Sequence, residues 1–168
     1  MQELLVSALR AQRPQVRAHW EALLRVEPVG SPLGHPDALV HLIDWTLDEI
    51  FTALANPLAR HRAGHNRLNP EEQPQCPCGR NPLLAYFAAC EQSLHEALIL
   101  AQAATANLDP LERDASFREL NMVLQQISRR EIEAFCGVCQ FREKGDGHAT
   151  VMQGSATEAG DGHVDRLP

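Results

Sequence analysis

The sequence predicts an all-α protein, and two observations carry this prediction. Hydrophobic residues make up 44% of the 168-residue chain and aromatic residues only 5%, so a core must consist mainly of Leu, Ala, Ile and Val, a composition that favours helices. Apolar residues also recur at helical spacing in four segments, with turns rich in Pro, Gly or Asn between them. Short turns make neighbouring helices antiparallel, and the pattern therefore predicts an antiparallel four-helix bundle.

The first two segments are separated by a Pro- and Gly-rich turn. The first runs from about Gln2 to Val26, and Pro14 within it predicts a kink or a break into two helices. The second begins at Pro36, a residue that suits the first helical position, and ends near Asn56. Its predicted apolar face comprises Leu39, Leu42, Ile43, Thr46, Leu47, Ile50, Phe51 and Leu54.

A long polar connection, Asn56 to Arg80, separates the second predicted helix from the third. Loops of this length are unusual in compact domains and are commonly functional. It carries two features that we interpret as parts of an exposed loop, with one histidine as a conceivable additional metal ligand. These features are a short basic run, Arg60, Arg62 and Arg67, and an HxxxH pair, His61 and His65.

The last two segments form a predicted hairpin. Asn81 and Pro82 are suited to begin the third helix, which extends to about Ala106. The fourth runs from Pro110 to about Phe135. The predicted faces are Leu83, Leu84, Phe87, Cys90, Leu94, Leu98 and Ala101 on the third helix, and Phe117, Leu120, Leu124, Ile127 and Phe135 on the fourth. Residues 143–168 are polar and Gly-rich, which predicts a disordered tail after a helical domain of residues 1–142.

Two close pairs of cysteines indicate a metal site. Cys76 and Cys78 form a CxC motif, and Cys136 and Cys139 form a CxxC motif. Four thiolates in two pairs suit a tetrahedral Zn²⁺ ion. At ~1.5 Å per residue the last two helices are about 37 and 39 Å long, so the hairpin returns to its starting end and brings the pairs together. We therefore predict a Zn(Cys)₄ site at one end of the bundle, with Gly79 and Gly137 in tight turns.

The same cysteines permit other arrangements. They could form disulfides after oxidation, stay as separate reduced thiols, or hold an iron–sulfur cluster. The fifth cysteine, Cys90, lies on the apolar face of the third helix, where a free thiol packs as a small hydrophobic side chain.

Two resemblances follow from these motifs. The CxC and CxxC pairs, Cys76, Cys78, Cys136 and Cys139, resemble the zinc-thiolate switch of the heat-shock redox chaperone family, which implies that such a site can sense oxidation. The first two helices, from Arg13-Pro14 to Trp20 and from Pro36 onward, look like the N-terminal helical sensor domains of stressosome-type co-antagonist proteins. Both resemblances imply a regulatory or sensory role.

The net charge and the absence of certain motifs disfavour several classes of protein. A net charge of −7 disfavours nucleic-acid binding, which needs a basic face. No apolar stretch approaches the ~20 residues of a membrane span, and the N-terminal sequence lacks a signal-peptide layout, so we expect a cytoplasmic protein. No Ser/His/Asp order, Gly-rich phosphate loop or HExxH motif is present, so we expect no enzymatic activity.

These observations favour a small zinc-binding regulatory, sensory or interaction module. Its expected partner is another protein, and its oligomeric state is left open. The main alternative is a thiol-based redox switch that releases zinc on oxidation. A metal carrier, or a small enzyme with a pocket inside the bundle, forms a third class.

A few further side chains are assigned structural roles. Gln92-x-x-His95 does not supply the Glu-x-x-His of a di-iron bundle. Trp20 is predicted to lie in the core and Trp45 at its boundary. The carboxylates Asp44, Asp48 and Glu49 are predicted to form a solvated face of the second helix.

Overall fold

The computed structural model describes residues 1–26, 35–56, 80–106 and 108–138, which fold into five helices. They are α1 (Glu3–Ala11), α2 (Arg13–Val26), α3 (Pro36–Ala55), α4 (Pro82–Ala104) and α5 (Pro110–Val138). The described residues contain no strand, and the all-α prediction is confirmed. Most of the polar connection between α3 and α4, and the whole predicted tail of residues 143–168, lie outside the described residues.

The first predicted segment is two helices, as Pro14 indicated. α1 ends at Ala11, and α2 begins at Arg13 with Pro14 in its second position. A proline is tolerated there because the first helical N–H groups have no acceptor inside the helix. Gln12 lies between the helices, and its side-chain amide donates to the carbonyl of Ala97 in α4, 3.4 Å away.

Side chains at two helix starts explain where α4 and α5 begin. Asn81 Oδ1 accepts a hydrogen bond from the backbone N–H of Leu83 at 3.0 Å, and Asp109 Oδ1 accepts one from Leu111 at 2.9 Å. Each cap satisfies a backbone donor that has no partner within its own helix. A proline follows each cap and is pre-organised for the first helical turn.

α2 and α3 run in opposite directions. Arg13, at the start of α2, pairs with Asp48 in the C-terminal half of α3. Arg25, at the end of α2, lies 3.1 Å from Asp37 at the start of α3. Between these pairs, Arg17 contacts Asp44 at 3.1 Å, so a ladder of ion pairs follows the seam between the two helices.

α4 is antiparallel to both α2 and α5. Gln12 contacts Ala97 whereas Trp20 contacts Tyr86, so the residue number falls along α4 as it rises along α2. Between α4 and α5, the side chain of Gln102 donates to the carbonyl of Arg113 at 3.1 Å, at the opposite end of the pair from Asn81. α5 packs against α3 as well as α4.

These directions place the two ends of the long connection far apart. α3 and α4 are both antiparallel to α2, so they point the same way. Asn56 follows the end of α3 and Arg80 precedes the start of α4, and the two residues therefore lie at opposite ends of the helix assembly. A helix of 20 residues such as α3 is about 30 Å long.

The core lies where the buried faces of the helices meet. Its largest fully buried side chains are Trp20, Tyr86, Leu5, Leu9, Ile43, Leu47, Ile50, Leu54, Leu94, Leu98, Leu120 and Ile132. The predicted core position of Trp20 is confirmed, whereas two predictions for α3 are wrong. Leu42 is 41% exposed and Trp45 is 56% exposed. Val40, which the predicted face leaves out, is buried, so the buried stripe of α3 is rotated toward Val40 and Leu42 turns outward.

α5 is longer at its C-terminal end than the sequence indicated. The helix continues past Phe135 through Cys136 and Gly137 to Val138. The predicted turn at Gly137 is therefore wrong, because this residue is helical. A Cβ built at Gly137 meets no atom within 4 Å, so neither crowding nor a left-handed backbone requires a glycine there.

Candidate metal centre

The start of α4 and the last turns of α5 are joined by one buried side chain, Asn81. Its Nδ2 group donates to the carbonyl oxygen of Ile132 at 3.2 Å and to the sulfur of Cys136 at 3.4 Å. Asn81 is only 4% exposed, although it precedes a helix. The amide thus connects two helices at the end of the molecule where the metal site is predicted.

The orientation of the Asn81 amide follows from its partners. The backbone N–H of Leu83 can only donate, so the atom that faces it must be the amide oxygen. The NH₂ group then points to the two acceptors, the Ile132 carbonyl and the Cys136 sulfur. All three contacts agree with one amide orientation.

Cys136 occupies a site that can support a metal-bound sulfur. Its side chain is half-buried and packs against the hydrophobic core. The partial positive charge at the start of α4 favours a negatively charged sulfur at Cys136, whereas the end of α5, which carries Cys136, has the opposite partial charge. The two helix-end charges offset each other at Cys136. The hydrogen bond from the Asn81 amide is therefore the main polar contact to this sulfur. Groups outside the first coordination sphere of a metal commonly form hydrogen bonds with its ligands and orient them.

The structure places one of the four predicted ligands. Cys136 lies beside Asn81, whereas Cys76, Cys78 and Cys139 lie outside the described residues, as do His61 and His65. Gly79, predicted to form a turn, lies outside them too. Within the described ranges, no three His, Cys, Asp or Glu side chains form a group that could hold a metal ion. The four-cysteine site accordingly stays a prediction.

Cys90 has a structural role, as predicted. Its side chain is fully buried in the core on α4. Burial raises the pKa of the Cys90 thiol well above its ordinary value, with a smaller contribution from the charge of Glu91. A neutral, inaccessible thiol is a poor nucleophile and a poor metal ligand.

The predicted solvated face of α3 is correct for two of its three carboxylates. Asp44 and Asp48 are exposed, and the hydrogen bonds from Arg17 and Arg13 respectively hold the pKa of each carboxyl below its ordinary value. Glu49 departs from the prediction, because it turns toward α5 and lies 2.7 Å from a guanidinium nitrogen of Arg130.

The second oxygen of Glu49 is a feature that sequence reasoning missed. Glu49 Oε2 is buried and has no hydrogen-bond partner among the described residues. The available signal was its position three residues after Thr46, which places it at the edge of the apolar face. The side chain as a whole is 25% exposed, and its contact with Arg130 ties α3 to α5.

Comparisons with known proteins return no relative. No family model matches the chain, and neither the curated proteins nor the solved structures contain a significant match. None of the helices in the described part of the chain is long and apolar enough to cross a membrane.

Proposed function

We propose that this chain is a small zinc-binding helical protein that acts as a regulatory, sensory or interaction module. Cys76, Cys78, Cys136 and Cys139 would hold one Zn²⁺ ion with a mainly structural role. The observation that carries this proposal is the contact between Asn81 and the sulfur of Cys136. It brings the last turn of α5 to the start of α4, close in sequence to the CxC motif.

Covalent geometry makes the convergence feasible. Cys78 precedes Asn81 by three positions in the sequence, and three extended residues span at most about 11 Å. Cys139 directly follows the last residue of α5. Both pairs are therefore tethered to the same end of the α4–α5 hairpin.

The proposed frame is an antiparallel four-helix bundle formed by α2, α3, α4 and α5. Each of α2 and α5 packs against both α3 and α4. These neighbours run antiparallel, as the ion pairs between α2 and α3 and the hydrogen bonds that α4 makes with α2 and α5 indicate. The short helix α1 packs against this bundle. A zinc ion at one end would fasten the segment before α4 to the end of α5.

A tetrathiolate zinc ion has no open coordination position, which suits a structural role. Its binding free energy adds to the free energy of folding, because the unfolded chain lacks the assembled site. The exposed Leu42 and Trp45, three residues apart on α3, supply apolar surface for a protein partner.

Chelation combined with thermal unfolding tests the structural role. Removing zinc from the full chain should lower the melting temperature by about 5 °C or more, and adding zinc back should restore it. Cys136→Ser should have a lower melting temperature and respond little to the chelator. The matched control Cys90→Ala should keep the full response. A wild-type melting temperature that does not change on complete zinc removal would refute the structural role.

A redox switch is the second candidate, and the partial exposure of Cys136 favours it. Cys90 is fully buried, whereas Cys136 is partly exposed in the last turn of α5. Two thiolates can be oxidised to a disulfide by hydrogen peroxide, which is reduced to water, and the zinc ion is then released. Zinc release at mild peroxide doses, reversed by a thiol reductant, would support the switch over the purely structural site. Retention of zinc would exclude it.

A further inference from the structure

We propose that Asn81 is a positioning residue that couples the sulfur of Cys136 to the first turn of α4. This inference rests on the proposed zinc site and adds a route by which its state reaches the helix assembly. One amide makes contacts on both sides of the junction. It caps α4 through Leu83 and donates to Cys136 and Ile132 in α5.

The strength of the amide–sulfur contact depends on the state of the sulfur. A neutral thiol or a disulfide sulfur is a weak acceptor, whereas a thiolate, free or bound to zinc, accepts a charge-assisted hydrogen bond. Zinc binding at Cys136 therefore strengthens the hydrogen bond from Asn81 Nδ2. Because the amide is planar, fixing its nitrogen also fixes its oxygen on the N–H of Leu83.

The burial of Asn81 confines the coupling to the start of α4. At 4% exposure, Asn81 has little access to water that could replace a lost partner. Asp109, the equivalent cap of α5, is exposed and lies at the opposite end of the α4–α5 hairpin. Zinc binding should therefore stabilise the start of α4 and leave the start of α5 largely unchanged.

The zinc dissociation constant of the full chain, measured against a competing chelator under reducing conditions, tests the inference. Asn81→Ser retains a good capping oxygen but is too short to span both acceptors in α5. It should weaken zinc binding by about tenfold to a hundredfold, the usual effect of removing a partner of a metal ligand. The control Asp109→Ala removes the cap of α5 and should leave zinc affinity unchanged.

Amide hydrogen exchange supplies a second readout that needs no variant. In the wild-type chain, added zinc should slow exchange at Leu83 more than at Leu111, the amide that Asp109 caps. Equal zinc affinity of Asn81→Ser and the wild type, or equal protection of the two amides, would overturn the coupling and leave the zinc site standing. A wild-type chain that binds no zinc would overturn both.

Discussion

The indole nitrogen of Trp20 donates a hydrogen bond to the backbone carbonyl of Tyr86, with 3.0 Å between the two atoms. The two rings also lie against each other, with centroids 4.6 Å apart. The hydroxyl of Tyr86 is 2.8 Å from that of Thr46, which itself donates to the carbonyl of Leu42. The backbone carbonyl and the side-chain hydroxyl of Tyr86 thus tie α4 to α2 and to α3 inside the core.

Replacing Trp20 by Phe should destabilise the protein. The change removes the indole donor and leaves unfilled volume at a fully buried position. We expect a loss of about 1–3 kcal/mol in the free energy of unfolding. Urea denaturation monitored by circular dichroism measures this loss.

The other tryptophan provides a matched control. Trp45 is 56% exposed, and Trp45→Phe should change stability by no more than about 0.5 kcal/mol. Equal losses for the two variants would mean that the packing around Trp20 is misassigned.

The ionisation of Tyr86 should make the protein lose stability at high pH. Burial raises the pKa of the Tyr86 hydroxyl above its ordinary value of 10. The folded state therefore holds the phenol proton more tightly than the unfolded state does. The stabilising contribution of the protonated phenol to the free energy of unfolding is therefore fully present below pH 10. It declines as the pH rises above 10, because the unfolded state then releases the proton first. The chain has a single tyrosine, so phenolate absorbance reports on this residue alone.

Absorbance and circular dichroism measured together check this prediction. Phenolate should appear only above pH 10, together with loss of helix signal. Tyr86→Phe is the control, and its stability should fall less over the same pH range. Ionisation with a midpoint near pH 10 in a fully helical chain would contradict the burial of Tyr86.

Replacing Gly137 by Ala should preserve or slightly increase stability. Gly137 is helical and has free space at its Cβ position. Alanine is favoured over glycine in a helix interior by about 0.5–1 kcal/mol, and the effect is smaller near a helix end. The midpoint of thermal unfolding gives the measurement. A clear decrease would show that the backbone at residue 137 needs the freedom of glycine.

Local sequence signals were sufficient for several features. Pro14 indicated the break between α1 and α2, because a proline can begin a helix but not continue one. Helical periodicity placed Trp20 and Cys90 in the core, where both are fully buried. The nearly equal predicted lengths of the last two helices also brought Cys136 to the start of α4, and its contact with Asn81 confirms this position.

Other features depend on how the helices are rotated and packed. Periodicity gives an apolar face but not the neighbours on either side of it, and so it misplaced Leu42 and Trp45 on α3. Glu49 looked solvated because its contact with Arg130 comes from a helix far away in the sequence. The predicted end of α5 near Phe135 was too early, and Gly137 was assigned to a turn although a helix tolerates glycine at small cost.

Elemental analysis of the full wild-type chain, purified without chelator, tests the central claim most directly. Four convergent thiolates should retain about one Zn²⁺ per chain. Cys136→Ser should retain less, and Cys90→Ala the same amount as the wild type. A metal-free wild-type protein in which Cys76, Cys78, Cys136 and Cys139 react freely with a thiol reagent, while the buried Cys90 does not, would contradict the zinc site.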